Sequence, residues 1–182
     1  MNEQAELIKL VASRLEQSGI PYMITGSSAL DFYAQPRMTR DVDLVVELNP
    51  SDAPILNRLF SSDFYLDENA VLRAIQNRSM FNAIHNGWMI KVDFIVRKDS
   101  EYRRVEFGRR QAMDLGGGVG VFVASPEDLI LSKLEWSKET NSEVQNRDIQ
   151  SLLALVPNLD YEYLKKWSEV LGVDKRLEEL KP

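Results

Sequence analysis

Three carboxylates and one glycine turn carry the chemistry that can be read from this chain. Asp41-Val42-Asp43 opens an apolar run that continues through Leu44, Val45 and Val46 and stops at Asn49-Pro50. Alternate residues of a strand point to one face, so both carboxylates stand side by side at the start of an otherwise apolar element. Their repulsion and desolvation are relieved if a hard divalent cation takes oxygens from both, and magnesium favours carboxylates together with substrate phosphates. Asp93 sits in a second β-like run, Val92-Asp93-Phe94-Ile95-Val96, and joins the pair if the two strands are neighbours. Taken singly, Asp41 and Asp43 also suit a solvated strand end bound to Arg37 or Arg40. Asp93 alone suits a strand-face acid paired with Lys91 or Arg97.

Gly26-Ser27-Ser28 lies between a strand-like run and a helical one. Glycine there permits close approach, and the first amides of a helix point at an anion, so Ser27 can add a hydroxyl donor to a phosphate oxygen. The plainer role of the serine is a helix cap. Lys133 lies between Leu131 and Leu134 on an apolar helix, where its ammonium needs either a snorkelling route to water or an anionic partner.

These residues need an α/β scaffold to hold them. Leu7, Ile8, Val11 and Leu15 recur at helical period before Gly19 and Pro21; Tyr22 to Thr25 then reads as a strand, and Ser28 to Ala34 as a helix. After the strand from Asp41 to Leu48, two helices are expected, one over Ile55 to Phe60 and one over Glu68 to Arg78. Asn86-Gly87 predicts a hairpin between Met80 to Ile84 and Trp88 to Val96. Short strands follow at Gln111 to Leu115 and Val119 to Ala124, separated by a glycine-rich connection. That connection lacks the Lys and Ser or Thr of a phosphate loop. Ser125-Pro126-Glu127-Asp128 has the composition of a helix start, and helices are expected at Val144 to Val156 and Tyr161 to Leu171. The expected organisation is a core over residues 1–137 and a C-terminal helical segment over 142–182, joined by the polar stretch Glu139 to Glu143.

Composition excludes several alternatives. The 182 residues contain no cysteine and one histidine, His85, which rules out thiol chemistry and leaves no His-rich metal centre to build. A net charge of −6 argues against a protein that coats nucleic acid through a general positive field. The concentrated basic patch, Arg103, Arg104, Arg109 and Arg110, reads as a solvated helix face. No window approaches the apolar length of a membrane span and the first residues do not form a signal peptide, so a cytoplasmic protein is expected.

The order strand, Gly26-Ser27, helix, then Asp41-Val42-Asp43 after thirteen intervening residues, with Asp93 on a later strand, resembles the nucleotidyltransferase superfamily of polymerase-beta-like fold. Gly26 to Tyr33, Pro36 to Leu44, Ser125 to Lys133 and Arg147-Asp148 are similar to small prokaryotic nucleotidyltransferase-like proteins related to the toxin of abortive-infection toxin-antitoxin systems. The resemblance spans about residues 20 to 156. It implies a minimal mixed sheet with flanking helices, with Gly26, Ser27 and Lys133 at the triphosphate of an NTP. Asp41, Asp43 and Asp93 would be the catalytic, metal-binding residues, holding magnesium or manganese. The implied activity is NMP transfer to a hydroxyl of RNA, including tRNA, of a protein or of a small molecule. The alternative is a non-catalytic nucleotide-binding or toxin-antitoxin accessory module with a protein partner. Arg147-Asp148 is expected to pin the C-terminal helices to the core.

Overall fold

Helix α1 (Glu3–Gln17) forms where Leu7, Ile8, Val11 and Leu15 fall on one face, and all four are buried. Gly19, at φ 67°, turns the chain out of it into β1 (Tyr22–Thr25). The computed structural model describes residues 3–34, 41–138 and 142–181. Arg37, Arg40 and residues 139–141 of the expected linker lie outside them.

Past β1 come the short helix α2 (Gly26–Leu30), strand β2 (Asp41–Val46), a 3-10 turn at Pro50–Asp52 and α3 (Ala53–Phe60). Next are β3 (Phe64–Leu66), α4 (Glu68–Asn77), β4 (Met80–His85), β5 (Lys91–Val96), α5 (Glu101–Gly108), β6 (Gln111–Asp114) and β7 (Gly120–Val123). Four helices end the described chain: α6 (Pro126–Trp136), α7 (Glu143–Leu155), α8 (Tyr161–Leu171) and α9 (Asp174–Leu180). The seven strands form one sheet in the order β3-β4-β5-β2-β1-β7-β6. Strands β2 and β5 run parallel, as do β1 and β7, and the other pairs are antiparallel.

Strand alternation decides which way the acids face. Val42, Leu44 and Val46 of β2 and Val92, Phe94 and Val96 of β5 are buried in the main core with Leu7, Leu56, Phe60 and Val71 of the helices on that side. Phe94 stacks on Phe81 of β4 with ring centres 4.9 Å apart and meets Phe60 at 5.5 Å. Slipping either strand by one residue would exchange these side chains for Asp41, Asp43, Lys91 and Asp93, so burial pins the register. The opposite face carries a smaller apolar cluster of Met23, Val45, Phe107 and Ala124, with Ile95 against it. The acids belong to that second face.

Helix α6 is the keystone of the C-terminal part. Pro126 through Leu134 are all buried, because α7, α8 and α2 pack against it. Ser125 caps it through the amide of Asp128, as its sequence leads one to expect. Among the described residues no helix is long and apolar enough to cross a membrane.

Several expectations change. Strand β3 and helix α9 are absent from the sequence reading, and α2 stops at Leu30 rather than Ala34. The hairpin between β4 and β5 is present, but Trp88 lies in its turn: its amide bonds back to Nδ1 of His85, and Met89, at φ 54°, carries the left-handed residue. Segment Ser100 to Arg110 contains α5, and Arg103 is no solvated residue. Its guanidinium binds Glu106 at 2.7 Å, Ser132 at 2.7 Å and Glu135, tying α5 to α6. Arg109 meets Asp128 at 3.1 Å and lies 3.8 Å over the ring of Tyr163, whose hydroxyl donates to Asp128 at 2.6 Å.

Candidate active site

The parallel register of β2 and β5 sets Asp41 opposite Lys91 and Asp43 opposite Asp93. All four side chains share one face, forming a two-by-two array of three acids and one lysine. The Lys91 ammonium lies 2.8 Å from Oδ2 of Asp93 and 3.5 Å from Oδ2 of Asp41. That hydrogen bond to Asp93 holds the Lys91 ammonium above its ordinary range. The pairing of Asp93 with Lys91 is the plainer alternative noted from sequence, whereas Arg97 turns to Glu47 at 2.6 Å. The other oxygen of Asp93, Oδ1, is buried and accepts no hydrogen bond from the described residues. Among the described residues no three acidic or histidine side chains close into a metal-sized cluster. Asp41, Asp43 and Asp93 share the face, with Lys91 between Asp41 and Asp93.

Asp43 is half-buried, between the exposed Asp41 and the buried Asp93. Burial pushes its carboxyl pKa up, and the charges of Asp93 and Asp41 add to the rise; Lys133 and the amide of Ser27, which donates to it, oppose the rise. The glycine turn exists to admit this carboxylate. Gly26 has φ 62°, and a Cβ there would sit 2.1 Å from Oδ2 of Asp43. Two independent constraints, backbone conformation and close approach, therefore demand glycine at this one position. The anion received by the start of α2 in this structure is the chain's own carboxylate. Deeper in α2, Ser28 donates to the carbonyl of Asp41 at 3.3 Å, which ties the turn to the start of β2.

Lys133 comes to the same place from α6. It lines a cavity of about 240 Å³ with Gly26, Ser27, Asp43, Trp136 and Gln145. The Lys133 side chain is only 4% exposed, and its ammonium donates to Asp148 at 2.8 Å and to Gln145 at 3.2 Å, both on α7. Snorkelling is thereby excluded, and an anionic partner is supplied from within the chain. Asp148 does pin the C-terminal helices, but through Lys133 rather than Arg147, which is exposed and reaches Glu143 at 3.7 Å. A larger cavity of about 650 Å³ adjoins the first, sharing Thr25, Ile95, Ser132 and Trp136 with it.

The six residues singled out from sequence thus meet at one locus. Sequence reasoning placed Lys91 only as a neutralising partner, took Trp136 as part of the apolar surface of its helix and missed Gln145. Trp136 is 60% exposed at the end of an otherwise buried helix, a pattern visible only once the packing of α6 is known. Gln145 carried no signal.

A mixed sheet with an acidic pair on β2, a third acid in register on β5 and a glycine turn closing on the pair has the nucleotidyltransferase fold. The solved structure of ANT(2")-Ia in complex with adenylyl-2"-tobramycin matches with a TM-score of 0.63 and 17% identity, over 96% of this chain and 99% of that one. An antigenic nucleotidyltransferase-like protein from Paracoccidioides brasiliensis matches at 0.57 and 19%, over 97% and 90%. The lincosamide antibiotic adenylyltransferase LnuA, lincomycin-bound, matches at 0.53 and 13%, over 85% and 98%. No protein-family model and no curated protein matches the chain. At these identities the likeness is one of fold.

Proposed function

We propose that the chain transfers a nucleoside monophosphate group from an NTP to a hydroxyl acceptor, with magnesium or manganese bound at Asp41, Asp43 and Asp93. One observation carries the reading: Asp43 faces Asp93 in register while the Gly26-Ser27 turn closes on it. The donor set suits a hard cation, since Asp93 keeps a buried oxygen without a partner and Asp43 is held in like-charged surroundings that a cation relieves. When bound, the metal supplies charge neutralisation at the transferring phosphoryl group.

The chain's own residues position the rest. Gly26 leaves room at the turn, Ser27 offers a hydroxyl, and Lys133, held rigid by Asp148, offers a fixed positive charge to the triphosphate. The acceptor oxygen bonds to the α-phosphorus as the bridging bond to the β-phosphate breaks. Pyrophosphate leaves with that electron pair, and the acceptor proton passes to Asp93 or to water. Two of the structures of similar fold hold an adenylylated tobramycin and lincomycin, so small hydroxyl-bearing molecules are the first acceptors to test, followed by tRNA and protein.

The test is label transfer. Incubation with α-labelled NTPs, magnesium and these acceptors should give a labelled product in the wild type and none in Asp43→Asn. NTP binding without transfer to any acceptor would assign the chain to the nucleotide-binding module instead.

A further inference from the structure

Two lysines approach the acidic face, and they are held in opposite ways. Lys133 is locked, 4% exposed and paired to a buried aspartate. Lys91 is 36% exposed at the start of a strand, so its stem has an open route to solvent. Its ammonium nevertheless folds inward onto Asp93, whose side chain is only 9% exposed, and reaches Asp41 at 3.5 Å. Asp93 therefore spends one oxygen on Lys91 and leaves the other buried and without a partner.

We infer that Lys91 is a displaceable counter-ion which a divalent cation must expel from Asp93 and Asp41, so that Lys91 sets the metal affinity of the site. The inference rests on the nucleotidyltransferase reading of these acids. A hard divalent cation draws carboxylate oxygens to about 2.0–2.1 Å, and the ammonium already engages an oxygen of both Asp93 and Asp41. Ammonium and divalent cation together would put three positive charges within a few ångströms, so one excludes the other. Lys91 is the member free to leave. Its presence also accounts for three acids sharing one sheet face without closing on one another: the lysine bridges Asp41 and Asp93 and offsets part of their charge, and Asp43 accepts from the amide of Ser27. Lys91 is thus a positioning residue. It offsets part of the charge on the acidic face until metal arrives and then vacates Asp93.

The experiment measures manganese binding by the full chain without nucleotide, following the free-ion paramagnetic signal, for wild type, Lys91→Gln, Lys91→Met, Lys91→Arg and Asp43→Asn. Both neutral variants should bind manganese about tenfold more tightly than wild type, because the competing charge is gone. Lys91→Arg, which restores the charge, should return to within about threefold of wild type. Equal affinity in wild type and both neutral variants, with binding abolished by Asp43→Asn, would overturn the role of Lys91 while leaving the metal site standing. Absence of manganese binding in every variant would overturn both readings. Failure of both neutral variants to fold would assign Lys91 to the fold and likewise overturn the inference.

Discussion

Replacing Asp43 by asparagine should make the metal-free protein more stable and the metal-loaded protein less stable than wild type. Asp43 and Asp93 face each other on neighbouring strands, which lie about 4.8 Å apart. Two unit charges at about 5 Å repel by ~3 kcal/mol at an effective dielectric constant near 20. Lys91, 2.8 Å from Asp93, cancels part of this, so a gain of about 1–2 kcal/mol is expected in chelator. For a chain of this size that raises the melting temperature by roughly 2–8 °C. Asparagine keeps an oxygen for the Ser27 amide, so the hydrogen bond need not be lost.

The pH dependence has a definite sign. The Asp43 carboxyl is raised in the folded state, so the fold binds its proton more tightly than the unfolded chain does. Its contribution is favourable below the unfolded carboxylate range and is lost as pH rises through the folded value. The advantage of the variant should therefore grow from acid toward neutral pH. In magnesium at about a hundred times its dissociation constant, wild type should gain ~2.7 kcal/mol and the variant almost nothing, which inverts the order. Thermal melts in chelator and in magnesium decide the matter. A variant that is less stable in chelator, or equal magnesium shifts in both proteins, would refute the reasoning.

Gly26→Ala should cost about 2 kcal/mol or more, since it combines a left-handed backbone with a Cβ 2.1 Å from the Asp43 carboxylate. In an Asp43→Gly background, which removes the carboxylate and the Cβ that would lie 3.0 Å away, the same change should cost only the backbone strain, about 1 kcal/mol, which paired unfolding measurements would show. Lys133→Met strands a buried Asp148 and should lower stability by about 3–5 kcal/mol, whereas adding Asp148→Leu should recover most of that loss. If Lys133 also serves the triphosphate, NTP affinity measured by calorimetry stays low in the restored double variant; recovered affinity would confine Lys133 to the fold.

How much of this was legible beforehand depends on how local the signal is. Strand β1, the acidic strand β2, the capped start of α6 and the hairpin at Asn86-Gly87 are written in spacing, caps and turn residues within a few positions of one another. Three-residue β3 and the seven-residue α9 are too short for a period to show, and each persists because it packs on a neighbour. Arg103 looked like surface charge because its partners Ser132 and Glu135 are 29 and 32 residues away.

The sequence by itself determined the candidate acids, the glycine that precedes them and the α/β order that carries them, because alternation and turn chemistry act over short distances. Only the tertiary structure decided what each residue meets. Parallel pairing of β2 with β5 put Asp93 opposite Asp43 and Lys91 opposite Asp41, and the packing of α7 on α6 gave Lys133 to Asp148 rather than to solvent. Those partners are chosen by strand register and by which helix faces are left to bury, quantities set by the whole core and not by any one segment.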